Sequence, residues 1–148
     1  MTKHFVLSLA TAIAIAAGTI GDVMAAGPDS QGSQVNVTVK YTGPGTVDAS
    51  HRVWVWLFDT PDIGPGSMPV AELTIEKNGA TATFEGVSGA RVWIAVAFDE
   101  HGSMSGNAPP PPGTPVGIYA TATGAPEAVT VGDTKPVTVT FDDSLRMP

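Results

Sequence analysis

Carboxylates recur directly after apolar runs in this chain: Asp59 with Asp62, Asp99 with Glu100, and Asp142 with Asp143. If the ends carrying Asp59 and Asp99 lie side by side, then Asp59, Asp99, Glu100 and Asp142, helped by loop carbonyls, offer a site to a hard divalent cation. Ca²⁺ is the natural occupant, since it takes six to eight oxygen ligands. No EF-hand spacing accompanies them. The competing explanation is that Asp ends strands and opens turns by bonding its own backbone, while surplus acid keeps a chain soluble. His101-Gly102-Ser103-Met104, with Met68 and Met147, brings imidazole and thioether groups, the soft and borderline donors that suit copper, Cu(I) in particular. Two histidines beyond the first 25 residues, His51 and His101, are thin material for a copper carrier, and exposed loop residues explain them equally well. Hydrolysis would need a nucleophile, a base and a stabilised oxyanion, yet neither Gly-x-Ser-x-Gly nor His-Glu-x-x-His occurs. Ser103 or Ser105 with His101, or a carboxyl pair from Asp99 or Glu100 with Asp142, is the material on offer for an envelope hydrolase. The residue types favour a protein without catalysis.

Binding has better material. Trp54, Trp56 and Trp93 are flat apolar surfaces that stack on sugars or anchor a partner, although aromatics on central strands more often belong to a core. The stretch from Asp99 to Pro115 is long for a connection between strands and contains Pro109-Pro110-Pro111-Pro112, which favours a rigid polyproline II segment. Long loops held by a rigid scaffold are where recognition concentrates. His101, Met104, Pro109, Pro110, Pro111, Pro112 and Tyr119 are therefore the expected contacts to a protein or ligand.

The elements that must position these residues are short. Seventeen Gly and 13 Pro among 148 residues disfavour long helices, and no segment beyond the first 25 residues sustains apolar residues at helical spacing. Val35–Tyr41 alternates apolar and polar residues, the period of a half-buried strand. Arg52–Phe58 and Arg91–Phe98 are apolar on both faces, as central strands are. The two echo each other, and as neighbours in one sheet they would set Trp54 and Trp56 against Ala95 and Ala97. Leu73–Lys77 and Ala80–Phe84 flank Asn78-Gly79, which predicts a tight hairpin. Val129–Val131 and Val137–Phe141 complete about seven strands, so the expected class is all-β, an antiparallel β-sandwich.

Residues 1–25 read as a signal peptide: Lys3 and His4 precede an apolar run from Phe5 to Ala17, and Val23 and Ala25 fit the positions before a cleavage site. Residues 26–34 then form a flexible tail, and residues 35–148 one domain, in a periplasm or outside the cell. No second apolar run is long enough to span a bilayer after cleavage. A formal charge of −7 with seven Lys plus Arg leaves no basic surface for phosphates, which excludes nucleic acid as a partner and disfavours anionic lipid. Cysteine is absent, removing disulfides, thiolate metal sites and a cysteine nucleophile.

The strand ending in Phe98-Asp99, the segment Pro115-Val116-Gly117-Ile118-Tyr119 and the closing Val137–Phe141 together resemble a prealbumin-like sandwich. Transthyretin-like and carboxypeptidase regulatory-like domains belong to that class, whose shape is also immunoglobulin-like, and the resemblance covers about residues 35–142. It implies accessory, adhesive or ligand-binding roles. One enzymatic branch, the hydroxyisourate hydrolases, ends in Tyr-Arg-Gly-Ser, whereas this chain ends Asp142-Asp143-Ser144-Leu145-Arg146-Met147-Pro148. The expectation is an exported, acidic, non-catalytic module without a cofactor that binds an envelope or extracellular protein or glycan through the loop 99–115 and adjacent strand ends. A Ca²⁺ site, then copper, then an envelope hydrolase are the alternatives.

Overall fold

The computed structural model describes residues 33–106 and 108–148. The expected leader (1–25) and most of the expected tail lie outside the described residues. Ser33 and Gln34 are already tied to the domain, their carbonyls accepting bonds from Val87 N–H and Gly132 N–H. The described residues are all-β and contain no helix. No helix among them is long and apolar enough to cross a membrane.

Eight strands form: β1 Val35–Tyr41, β2 Val53–Phe58, β3 Ala71–Ile75, β4 Thr81–Phe84, β5 Arg91–Phe98, β6 Val116–Ile118, β7 Val129–Thr130 and β8 Val137–Phe141. One sheet has the order β4-β1-β8 and the other β3-β2-β5-β6, with β7 pairing the start of β5. The arrangement is β-sandwich-like. Val35, Val37, Val39 and Tyr41 of β1 share one buried cluster with Val53, Val55 and Leu57 of β2 and with Val92, Ile94, Val96 and Phe98 of β5. Each such side chain contributes about 1.5–3 kcal/mol on leaving water, which makes the interior between the sheets the dominant source of stability. Tyr41 closes one end of it, stacked on Phe98 at 4.4 Å between centroids and tilted against Phe141 at 5.1 Å.

Three expectations change. The sheets are antiparallel-rich rather than purely antiparallel, because β8 runs parallel to β1, with Val39 opposite Val139. The extra strand is β6, from the Pro115–Tyr119 segment, which borders β5 with Ala95 opposite Ile118. The predicted hairpin does not form. The turn at Asn78-Gly79 is present, with Gly79 at φ +79° and Ala80 N–H bonded to Lys77 O, but β3 pairs with β2 and β4 with β1. An alternation that sets Ile75 and Ala82 on one face of a hairpin serves equally to face them across a core. Asn78 fixes the crossing: its side chain accepts from Tyr41 N–H (2.8 Å) and donates to Tyr41 O (2.7 Å), docking the turn on the end of β1.

The two central strands are neighbours as expected, and their antiparallel register sets Trp54 opposite Ala97 and Trp56 opposite Ala95. Since Val53, Val55 and Leu57 face the other sheet, these tryptophans occupy the outer face of the larger one.

Candidate functional site

The outer face of the larger sheet carries a second, smaller apolar cluster. Trp56, Phe58 and Ala97 are buried there, with Trp54, Ile63, Ala95, Met104 and Val116 packed against them. Trp54 and Trp56 stack at 6.0 Å and 17°. Strand register builds this surface in rows, because residues opposite one another on adjacent strands share a face. One row runs Glu72, Trp56, Ala95, Ile118 across β3, β2, β5 and β6. The next runs Thr74, Trp54, Ala97, Val116. Trp93 stands apart, opposite Phe58 at the far end of β5.

Two loops rise over these rows. The loop 99–115 begins at Asp99, which is 6% exposed, and whose carboxylate oxygens accept from Ser103 N–H (3.0 Å) and Met104 N–H (2.9 Å). That turn folds the loop back so that Met104 packs on the tryptophan cluster. Gly106 then lies so close to the Glu72 carboxylate that a side chain there would collide with it. Beyond it, Pro109 and Pro110 border a groove, whereas Pro111 and Pro112 border a smaller cleft on the other side. The second loop, between β2 and β3, contributes Ile63 to Val70 as the opposite wall. Its Gly and Pro residues keep the chain from forming a strand, and they leave Met68 81% and Val70 49% exposed.

The groove between the walls holds about 760 Å³. Trp56, Phe58, Ala95, Val116 and Ile118 line its floor, and Leu145 and Met147 its far end. These last residues come from the chain terminus, which leaves β8, crosses to the larger sheet and lies beside β6. Leu145 O accepts from Val116 N–H, and Met147 bonds Thr114 and Gly113 through its N–H and carbonyl. Arg146 anchors the crossing. Its guanidinium donates to both Glu100 oxygens (2.9 and 3.3 Å), to Asp143 (2.8 Å) and to Gly113 O. Tyr41 O–H donates to the other Asp143 oxygen. Burial, then the Asp143 bond and the charges of Asp143 and Glu100, hold the Tyr41 phenol well above its ordinary range.

Against this geometry the expected cation set comes apart. The antiparallel register puts Asp59 just beyond the Phe58–Trp93 pair and Asp99 just beyond the Phe98–Val53 pair, at opposite ends of β2 and β5. At about 3.4 Å per residue the two are separated by roughly 24 Å. Glu100 is paired instead with the Arg146 guanidinium, at 2.9 Å. Asp142 forms an Asx turn, accepting from Ser144 N–H at 2.8 Å, and bonds from the Ser144 hydroxyl and amide hold its carboxyl below the usual range. Among the described residues no group of three or more His, Asp or Glu converges as a metal site.

The copper donors are likewise divided: His101 and Met104 border the cleft of about 220 Å³ beside Asp99 and Arg146, while Met68 and Met147 border the groove. His101 and Ser103 share that cleft, but the carboxylate beside them, Asp99, is committed to the loop backbone. Tyr119 lies away from the proline loop, packed against the core between the sheets. Of the expected contacts, Pro109 and Pro110 reach the groove and Met104 supports it.

Sequence reasoning missed Glu72 and the wall 63–70 as a binding surface, and named Met68 and Met147 as copper donors only. The available signal was the apolar Ile63, Met68 and Val70 in a Gly/Pro-rich loop, residues that no strand would absorb. No family model, curated protein or solved structure matches this chain.

Proposed function

We propose that the protein is a non-catalytic binding module and that its ligand surface is the groove on the outer face of the larger sheet. One observation carries this reading. A concavity of about 760 Å³ with an aromatic and aliphatic floor lies between two Pro-containing loops, and small-molecule sites typically occupy roughly 300–1,000 Å³ with mainly apolar linings. The floor rests on hydrogen-bonded strands and needs little reordering on binding, which limits the entropic cost. The loop 99–115 keeps the recognition role expected of it, as a wall supplied by Pro109 and Pro110. The two facing sheets, with Pro115–Tyr119 and Val137–Phe141 in separate sheets, support a prealbumin-like sandwich. Export to a periplasm or the exterior belongs to the same reading, on the strength of residues 1–25.

The test is binding of a neutral, apolar, environment-sensitive dye such as N-phenylnaphthylamine. Ala95→Phe fills the floor between Trp56 and Ile118, and Val70→Glu charges a half-exposed wall position. Each should weaken dye binding about tenfold or more while circular dichroism remains that of the parent, since one buried aromatic side chain is worth about 1.5–3 kcal/mol. Unchanged dye affinity in both folded variants would reject the groove.

A further inference from the structure

The groove is apolar along its length but not at both ends. Among the described residues, Glu72 is the only charged side chain lining it, and it stands at one end of the row Glu72, Trp56, Ala95, Ile118. The Trp56 indole N–H donates to Glu72 Oε2 at 3.3 Å, which holds the carboxylate beside the ring. Among the described residues no Lys, Arg or His pairs with Glu72: the ion pairs join Arg146 to Glu100 and Asp143, Arg52 to Glu76, and His51 to Asp48. A carboxylate without a cation favours a positive group through charge-assisted hydrogen bonding. Three strand spacings separate Glu72 from Ile118, about 14 Å of floor. Ala95 is the low point between the larger Trp56 and Ile118, where the body of an elongated ligand can settle. The net charge of −7 draws cations toward the surface as a whole.

We infer that the groove takes a small amphipathic amine: an ammonium head at Glu72 beside Trp56 and an apolar body of roughly eight to ten carbons along Trp56, Ala95 and Ile118, that length being set by the floor of about 14 Å. The inference rests on the groove being the ligand site. Walls on both sides suit a slender free molecule, and the binding energy divides accordingly. The apolar body supplies affinity, and the head fixes direction.

The experiment titrates the purified protein with n-octylammonium, n-octanol and n-octanoate below their aggregation limits, reading tryptophan emission and heat. Octylammonium should bind about tenfold more tightly than octanol, with octanoate weakest, as one charge-assisted contact implies. Glu72→Gln should erase the preference for the amine, so that octylammonium binds no more tightly than octanol. Ala95→Phe should weaken both. Equal affinity for octylammonium and octanol, both lost in Ala95→Phe, would overturn the cationic assignment and leave the groove standing. Amine and alcohol binding that ignores Ala95→Phe, or no binding of either, would overturn the groove and this inference together. A Lys-bearing apolar peptide that binds where octylammonium does not would also overturn the assignment to a free amine.

Discussion

Replacing Asp99 by alanine should destabilise the protein by about 3 kcal/mol, the order expected from two hydrogen bonds to a charged acceptor after part of the loss is recovered by water. The carboxylate is 6% exposed and serves two separate backbone donors, Ser103 N–H at 3.0 Å and Met104 N–H at 2.9 Å. Alanine leaves both donors unmatched at the root of the loop 99–115. Asparagine retains one oxygen and should lose about half as much. Urea unfolding followed by tryptophan emission reads both variants, and at about 4 °C per kcal/mol the alanine variant should melt roughly 12 °C below the parent. The same deficit should appear with Ca²⁺ and with chelator, because the bonds are made within the chain. A loss under about 0.5 kcal/mol would refute this account of Asp99, since it is smaller than one such bond. A loss that appears only with Ca²⁺ present would restore a cation to the strand ends, because a bound ion stabilises the native state by mass action.

Asn78→Ala should cost about 2 kcal/mol by chemical denaturation, since it removes both bonds that dock the crossing turn on Tyr41. Asn78→Asp should recover part of that cost through the bond from Tyr41 N–H, and full parental stability in the alanine variant would refute the role. Leu57 is fully buried between the sheets, so Leu57→Ala should cost roughly 3–5 kcal/mol. Gly117→Ala should also destabilise the fold, by about 1–3 kcal/mol, because a methyl there meets Phe141 across the core and Val96 on the neighbouring strand. The raised Tyr41 phenol sets a pH dependence. Its contribution is fully present below the ordinary value of about 10 and is lost as pH rises from there toward the higher folded value. Stability measured between pH 9 and 11 should therefore fall on the alkaline side, and less steeply in Tyr41→Phe.

The central strands were legible because their apolar residues come in two kinds. Small and branched residues at Val53, Val55 and Leu57 alternate with large aromatics, and Ala95 and Ala97 on the echoing strand marked the two as neighbours, although not the antiparallel register that sets Trp54 opposite Ala97. The crossing at Asn78-Gly79 was not legible, because period-two alternation says which residues share a face but not which strand they adjoin. The metal set failed for a related reason. Acids placed at the ends of two similar strands cluster only if those strands run parallel, and β2 and β5 are antiparallel. Glu100 and Asp143 gather instead through Arg146, a contact 46 residues away from Glu100 along the chain. The walls of the groove come from three separate segments, Ile63–Glu72, Pro109–Pro110 and the stretch holding Leu145, Met147 and Pro148, and spacing along a sequence cannot bring such segments together. What remained readable was the composition of its walls, apolar residues set among Gly and Pro.

The most direct test of the groove is an amide chemical-shift map of the isotope-labelled protein during titration with n-octanol, a neutral ligand that leaves charge out of the question. Shifts should concentrate at Trp56, Ala95 and Ile118, with the indole N–H of Trp56 moving most among the three tryptophans, and should include Met68, Val70 and Ala108. Residues of the smaller sheet, such as Thr38 and Thr83, should stay in place. Shifts confined to the cleft around His101, Ser103 and Arg146, or spread evenly over both sheets, would contradict the assignment of the groove as the binding site.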